Sequence, residues 1–161
     1  MKKSKRLEVF QKCNGHCAYC GEKIEYKDMQ VDHVKPAQNL RLYKEYTKIF
    51  RKTADKMTKE IYERRVVRIR NIIIAEFGSL ENVDAIENLL PACWDCNFYK
   101  STFSLEKFRA YMKTLHERMK YKSRLKVALF RKYRVSEGVA WGGVFYFERG
   151  NNGNKGKITV L

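Results

Sequence analysis

No stretch of the 161 residues is apolar for long enough to span a bilayer, and no amphipathic amino-terminal segment offers an anchor. No membrane partner is expected. Acidic residues are scarce: 18 Asp and Glu face 34 Lys and Arg, a formal net charge of +16. A field of that sign draws polyanions, of which nucleic acid is the commonest. The start, Met1-Lys2-Lys3-Ser4-Lys5-Arg6, is basic but lacks the apolar stretch a secretory signal needs after it. A reducing cytoplasm is therefore the expected location. There is no internal repeat and no linker long enough to require a second independent domain. What is present argues for a folded chain: 44% hydrophobic and 13% aromatic residues exclude a disordered basic tail. The length suits one domain with a modest core.

In a reducing compartment, paired cysteines hold metal more often than they form disulfides. Cys17 and Cys20 form one Cys-x-x-Cys pair, and Cys93 and Cys96 another. Four thiols in two such pairs make a closed tetrahedral site for a soft ion, most naturally structural Zn²⁺ with no open position for water. The spacing is unusual, because 72 residues, positions 21 to 92, separate the pairs. Both pairs nevertheless lie in turn-like contexts, so one site split by an insertion is the better reading. Tyr19 and Trp94 sit between the ligands of each pair and could cover the ion. Cys13 stands apart and reads as a small buried apolar residue. Asp32-His33 lies between the pairs, and Asn97 follows the second at once. Oxygen donors and an imidazole beside the clip suit a hard cation next to a general base, the equipment for hydrolysing a phosphodiester.

The periodicity places these motifs. Residues 5–13 read as a short helix with Leu7, Phe10 and Cys13 inward, turned by Asn14-Gly15 into the first cysteine pair. Residues 24–34 read as a short strand pair ending in Asp32 and His33. Residues 39–78 form a polar insertion in which Leu42, Tyr46, Ile49, Thr53, Met57 and Ile61 recur at helical steps. A break falls near Thr53, which would cap a second helix; Val66, Ile69, Ile73 and Phe77 continue the stripe, and Gly78 stops it. Its other faces carry many cations, Arg41, Lys44, Arg64 and Arg68 among them, either as a solvated surface or as a phosphate-contacting face. Ser104 caps a helix with Glu106 in its first turn, and Leu105, Phe108, Met112, Leu115 and Met119 form its core stripe. A basic helical stretch follows from Arg124 to Arg134. Val144-Phe145-Tyr146-Phe147 and Ile158-Thr159-Val160-Leu161 flank a Gly/Asn-rich turn and read as a β-hairpin. Tyr146 and Phe147 would serve as hairpin core or as base-stacking rings.

Three strings carry a family resemblance: Cys17-Ala18-Tyr19-Cys20-Gly21; Val31-Asp32-His33-Val34-Lys35-Pro36; and Glu87-Asn88-Leu89-Leu90-Pro91-Ala92-Cys93-Trp94-Asp95-Cys96-Asn97 with Lys100 three residues on. Together they resemble the HNH endonucleases of bacteria and phages, the zinc-clipped branch of the ββα-metal nucleases. Ser104-Leu105-Glu106-Lys107-Phe108-Arg109 is similar to what often trails that motif. The resemblance covers about residues 8–38 and 78–110.

It implies an α+β fold: a ββα-metal core with the four-cysteine zinc site, the helical insertion between its halves, and a carboxy-terminal basic helix plus β-hairpin. Residues 1–110 would be the nuclease domain and 111–161 a segment packed on it. The implied activity is metal-dependent DNA hydrolysis leaving 5′-phosphate and 3′-hydroxyl ends. His33 would be the general base, Asp32 and Asn97 the ligands of a catalytic Mg²⁺ or Mn²⁺, and Asn88 the brace behind His33. Lys100 would touch phosphate, with Arg64, Arg68, Lys107 and Arg109 as further nucleic-acid contacts. The third motif letter is Asn97 rather than His, which makes the cation site all-oxygen. His16, beside the first thiol pair, and His116, on a helix flank, receive no catalytic role. Double-stranded DNA is the expected partner, in a bacterial or phage-infected cell, with a homodimer if both strands are cut. The alternatives are a non-catalytic zinc-dependent DNA-binding module and an RNA-directed nuclease. The setting (packaging, homing, restriction or defence) stays open.

Overall fold

The computed structural model describes residues 1–115, 117, 129–134 and 141–149. Its fold is mixed α and β, with a two-stranded sheet enclosed by helices. Helix α1 (Lys3–Gln11) buries Val9, while Leu7 faces solvent rather than inward. Left-handed Asn14 and Gly15 (φ 50° and 73°) end the segment and turn the chain into the first cysteine pair. Cys13 and the partly buried Phe10 pack on the core as the sequence suggests.

Strand β1 (Gln30–His33) carries Asp32 and His33, but its partner is not a neighbouring strand. It pairs antiparallel with β2 (Leu89–Ala92), in the register Val31 to Pro91, Asp32 to Leu90 and His33 to Leu89. Residues 25–29 close a turn through amide bonds from Asp28 and Met29 to the Glu25 carbonyl, so no second strand forms there. A fully buried run such as Leu89–Ala92 suits a strand enclosed on both faces. The pairing brings the two halves of the cysteine motif together.

Between the strands, α2 (Gln38–Lys52) and α3 (Lys56–Phe77) pack on each other as an arm. Asp55, not Thr53, caps α3: its Oδ2 accepts the Thr58 amide at 2.7 Å, while the Thr53 hydroxyl donates back to the Ile49 carbonyl. Gly78 (φ 77°) ends α3 as expected. Met57 and Ile61 are exposed; the arm's small core gathers Leu40, Ile73 and Val83, with Tyr43, Ile69 and Phe77 against them.

Helix α4 (Trp94–Lys100) follows β2 directly, and α5 (Leu105–Lys113) begins at Ser104, whose hydroxyl accepts the Lys107 amide at 3.3 Å. Phe108, Met112 and Leu115 are buried with Val9, Tyr19, Met29, Leu89 and Leu90 in the main core. Leu129, Phe130, Tyr133, Trp141 and Phe145 join the same core. The expected strand at 144–147 is not formed. Tyr146–Glu148 is a 3-10 turn, and the Tyr146 and Phe147 amides donate to the Tyr19 and Ala18 carbonyls at 3.1 and 2.8 Å. Stacking of Phe145 with Phe108 and its edge contact with Tyr19 overrode local β-propensity. The second hairpin strand at 158–161, Met119 and His116 lie outside the described residues, as do residues 124–128 of the expected basic helix. No helix among the described residues is long and apolar enough to cross a membrane.

Candidate functional site

The four cysteines converge. Their Sγ atoms all lie within 4.8 Å of one another, and Cys20 and Cys93 are 3.9 Å apart. A tetrahedral ion with Zn–S bonds of about 2.3 Å needs sulfur–sulfur edges of about 3.8 Å, which the Cys20–Cys93 separation already matches and the whole set approaches. The turn that makes this possible needs Gly21 (φ 79°), where a Cβ would come within 2.6 Å of the Tyr146 ring. Hydrogen bonds from Cys17, Cys20 and Cys96 hold the Cys93 thiol well below its ordinary range, and the same crowding raises Cys96. A cation bound among them would stabilise all four as thiolates. Burial, with Cys17 beside it, instead pushes the Cys13 thiol up to about 12, in keeping with a neutral packing residue.

Two residues that motif spacing did not indicate complete the clip. Lys132 Nζ lies 3.3 Å from Cys93 Sγ and also pairs with Glu22 at 2.5 Å and Asp95 at 2.6 Å. Burial works against its charge, but Asp95 and Glu22 more than offset it and hold its pKa above the usual lysine range. The Tyr133 hydroxyl lies 3.3 Å from Cys96 Sγ.

His33 sits at the end of β1, its side chain 24% exposed. Its Nε2 lies 2.8 Å from Asp84 Oδ1, a partner with no spacing signal because it depends on how the arm returns to the sheet. Asn88 is buried and grips the backbone after His33. Its Oδ1 accepts the Lys35 amide at 2.8 Å, its Nδ2 donates to the Lys35 and Val83 carbonyls, and its carbonyl accepts the Val34 amide. A hollow of about 290 Å³ opens here, lined by His33, Asp32 and Asp84 and, from α2, by Arg41 and Lys44. The insertion therefore contributes to the wall opposite His33.

Lys100 is placed differently from the sequence expectation. It is fully buried, with Nζ 2.9 Å from Asp32 Oδ2 and 2.6 Å from the His33 carbonyl, so it cannot reach a phosphate. Asp32 also accepts the Tyr19 hydroxyl, whose pKa burial and the Asp32 charge raise well above the tyrosine range, keeping it a donor. Arg109 is likewise withdrawn from nucleic-acid contact: it binds Glu148, Glu106 and the Gly143 carbonyl. Arg64, Arg68 and Lys107 remain exposed. Asn97 lies on α4, which packs on β1, and makes no side-chain hydrogen bond among the described residues.

For a hard cation the donor chemistry is suitable at Asp32 and Asn97, but both recorded contacts of Asp32 fall on Oδ2. Oδ1 is the oxygen it could offer, and the neighbouring Lys100 ammonium already balances its charge. Compared with protein-family models, curated proteins and solved structures, the chain matches none of them.

Proposed function

We propose that the chain is a DNA endonuclease of the HNH type, with the cysteine clip holding a structural zinc and His33 acting as general base. One observation carries this reading. His33 is held by Asp84 at the ring and by Lys100 at its carbonyl, with Asn88 fixing Lys35 two residues on, yet its ring stays open to a hollow lined by Arg41 and Lys44 together with Asp32 and Asp84. A neutral imidazole whose Nε2–H donates to Asp84 presents the Nδ1 lone pair. That nitrogen takes the proton from an attacking water as the water oxygen bonds phosphorus. The P–O3′ bond then breaks, and the 3′-oxygen gains a proton from solvent, leaving 5′-phosphate and 3′-hydroxyl ends. Arg41 and Lys44 would hold the phosphate, and the exposed Arg64, Arg68 and Lys107 more distant parts of the backbone. Mg²⁺ or Mn²⁺ held by Asp32 and Asn97 would neutralise charge growing on the phosphate.

Plasmid nicking tests the proposal. Zinc-loaded protein with Mg²⁺ is expected to nick, and His33→Ala to lose roughly 10²-fold or more, the weight of a general base. Asp84→Asn should keep the fold and lower the rate by a smaller factor. Equal nicking by wild type and His33→Ala overturns the mechanism. The Lys100–Asp32 pair favours a second reading, a zinc-dependent DNA-binding module, because it occupies a carboxylate the cation would need. Salt-sensitive DNA binding without nicking by any form of the protein would select that reading.

A further inference from the structure

Trp94 and Phe98 lie one turn apart on α4, each 52% exposed, while Cys96 and Lys100 of the same helix are buried. Their rings are stacked, with centroids 5.0 Å apart and planes 15° from parallel. Phe98 also meets the edge of Tyr99 at 5.6 Å and 85°, whereas Trp94 contacts no other ring among the described residues. The stack is closed at Phe98 and open at Trp94. Neither ring contributes to the core, the cysteine clip or the His33 hollow.

Three features identify what the open end takes. It is a flat π-face rather than a groove, so it suits another flat ring better than an aliphatic side chain. The chain carries +16 charges, so the ring that arrives belongs to a polyanion. Trp94 precedes Asn97 by three residues on one helix, which puts their Cβ atoms roughly 5–6 Å apart, and that helix packs on the strand carrying His33.

We infer that the indole face of Trp94, backed by Phe98, stacks an unpaired nucleobase of the same DNA several nucleotides from the bond presented to His33, since Lys100 at the far end of α4 is the residue that reaches the His33 carbonyl. The inference rests on the nuclease reading and narrows its substrate. A base inside an intact duplex has both faces covered by its neighbours and has none to offer. The preferred substrate is therefore DNA with a gap, flap or mismatch several nucleotides from the cut, its paired part held by the cationic surface.

The test measures binding by the zinc-loaded full chain without added Mg²⁺, so that stacking is read apart from cleavage. With Trp141→Phe as background, Trp94 emission should be quenched by gapped duplex and much less by intact duplex. Anisotropy of labelled DNA should show about tenfold tighter binding to the gapped form, the weight of one stacked base. Trp94→Ala and Phe98→Ala should erase that preference and keep intact-duplex affinity, while Trp94→Phe restores most of it. Equal affinity for the two duplexes overturns the inference, as does a preference unchanged in Trp94→Ala. Stronger binding of single-stranded RNA of the same sequence also overturns it, and so does wild-type self-association that Trp94→Ala abolishes. Failure of the nuclease reading shows separately, as nicking by His33→Ala, and leaves these binding results legible.

Discussion

The two parts of the molecule that meet at His33 are held together by different means. On one side, β1, β2, the cysteine turns and α5 share a continuous core in which aromatic rings, thiols and the Lys100–Asp32 pair are all buried. On the other, the α2–α3 arm has a buried core of Leu40, Ile73 and Val83, and leaves Met57, Ile61, Val67 and Ile72 in solvent. The first part sets geometry at the scale of single hydrogen bonds. The second brings Arg41 and Lys44 to the rim but rests on far less buried surface. On the proposed reading, positioning of the base and holding of the phosphate would fall to regions with very different amounts of buried surface, the arm having the less.

Stripping the metal should break the comparison most completely, because the clip ties Cys17 and Cys20 to β2 and α4. Chelation, or Cys93→Ser with Cys96→Ser, is expected to unfold the stronger part, seen as loss of the cooperative thermal transition alongside loss of about one zinc per chain. Next in size is Lys100→Met, which strands the Asp32 carboxylate in the core. Denaturant titration should record about 3–5 kcal/mol of lost stability, whereas an exposed pair would cost less than about 1 kcal/mol. The smallest effect sharpens the contrast: Ile73→Ala should cost roughly 2–4 kcal/mol within the arm. Hydrogen exchange should then quicken across α2 and α3 while β1 and β2 keep their protection. Uniform quickening in both parts would show that they unfold as one.

What could be read in advance was what is local. Cysteine pairs with a following glycine or asparagine, the Asp32-His33 dipeptide, the helical stripe that stops at Gly78, and the Ser104 cap each express a rule acting within a few residues. What could not be read depends on which distant segments meet. Leu89–Ala92, rather than a neighbour, became the partner of β1 because a fully buried run pairs best where both faces are covered. Asp84 reaches His33 only because the arm folds back, and Lys132 and Tyr133 reach the thiols from more than thirty residues beyond Cys96. Lys100 looked like a surface cation because lysine usually is one. Its pairing with Asp32, set by the packing of α4 on β1, buried it instead.

Tyr19 stands between two cysteines of the clip, its backbone anchored by the amide of Tyr146 and its hydroxyl given to Asp32. Were the clip to hold a soft ion, its capture and the setting of that carboxylate would be linked through this one residue. On the proposed reading, a chain without its zinc would hold the Tyr19 loop less firmly, and the acid beside His33 would lose one of its two partners. The protein would thereby, on that reading, inspect its own assembly: copies without the ion would be poor cutters because they are unfinished, with no inhibitor needed to restrain them.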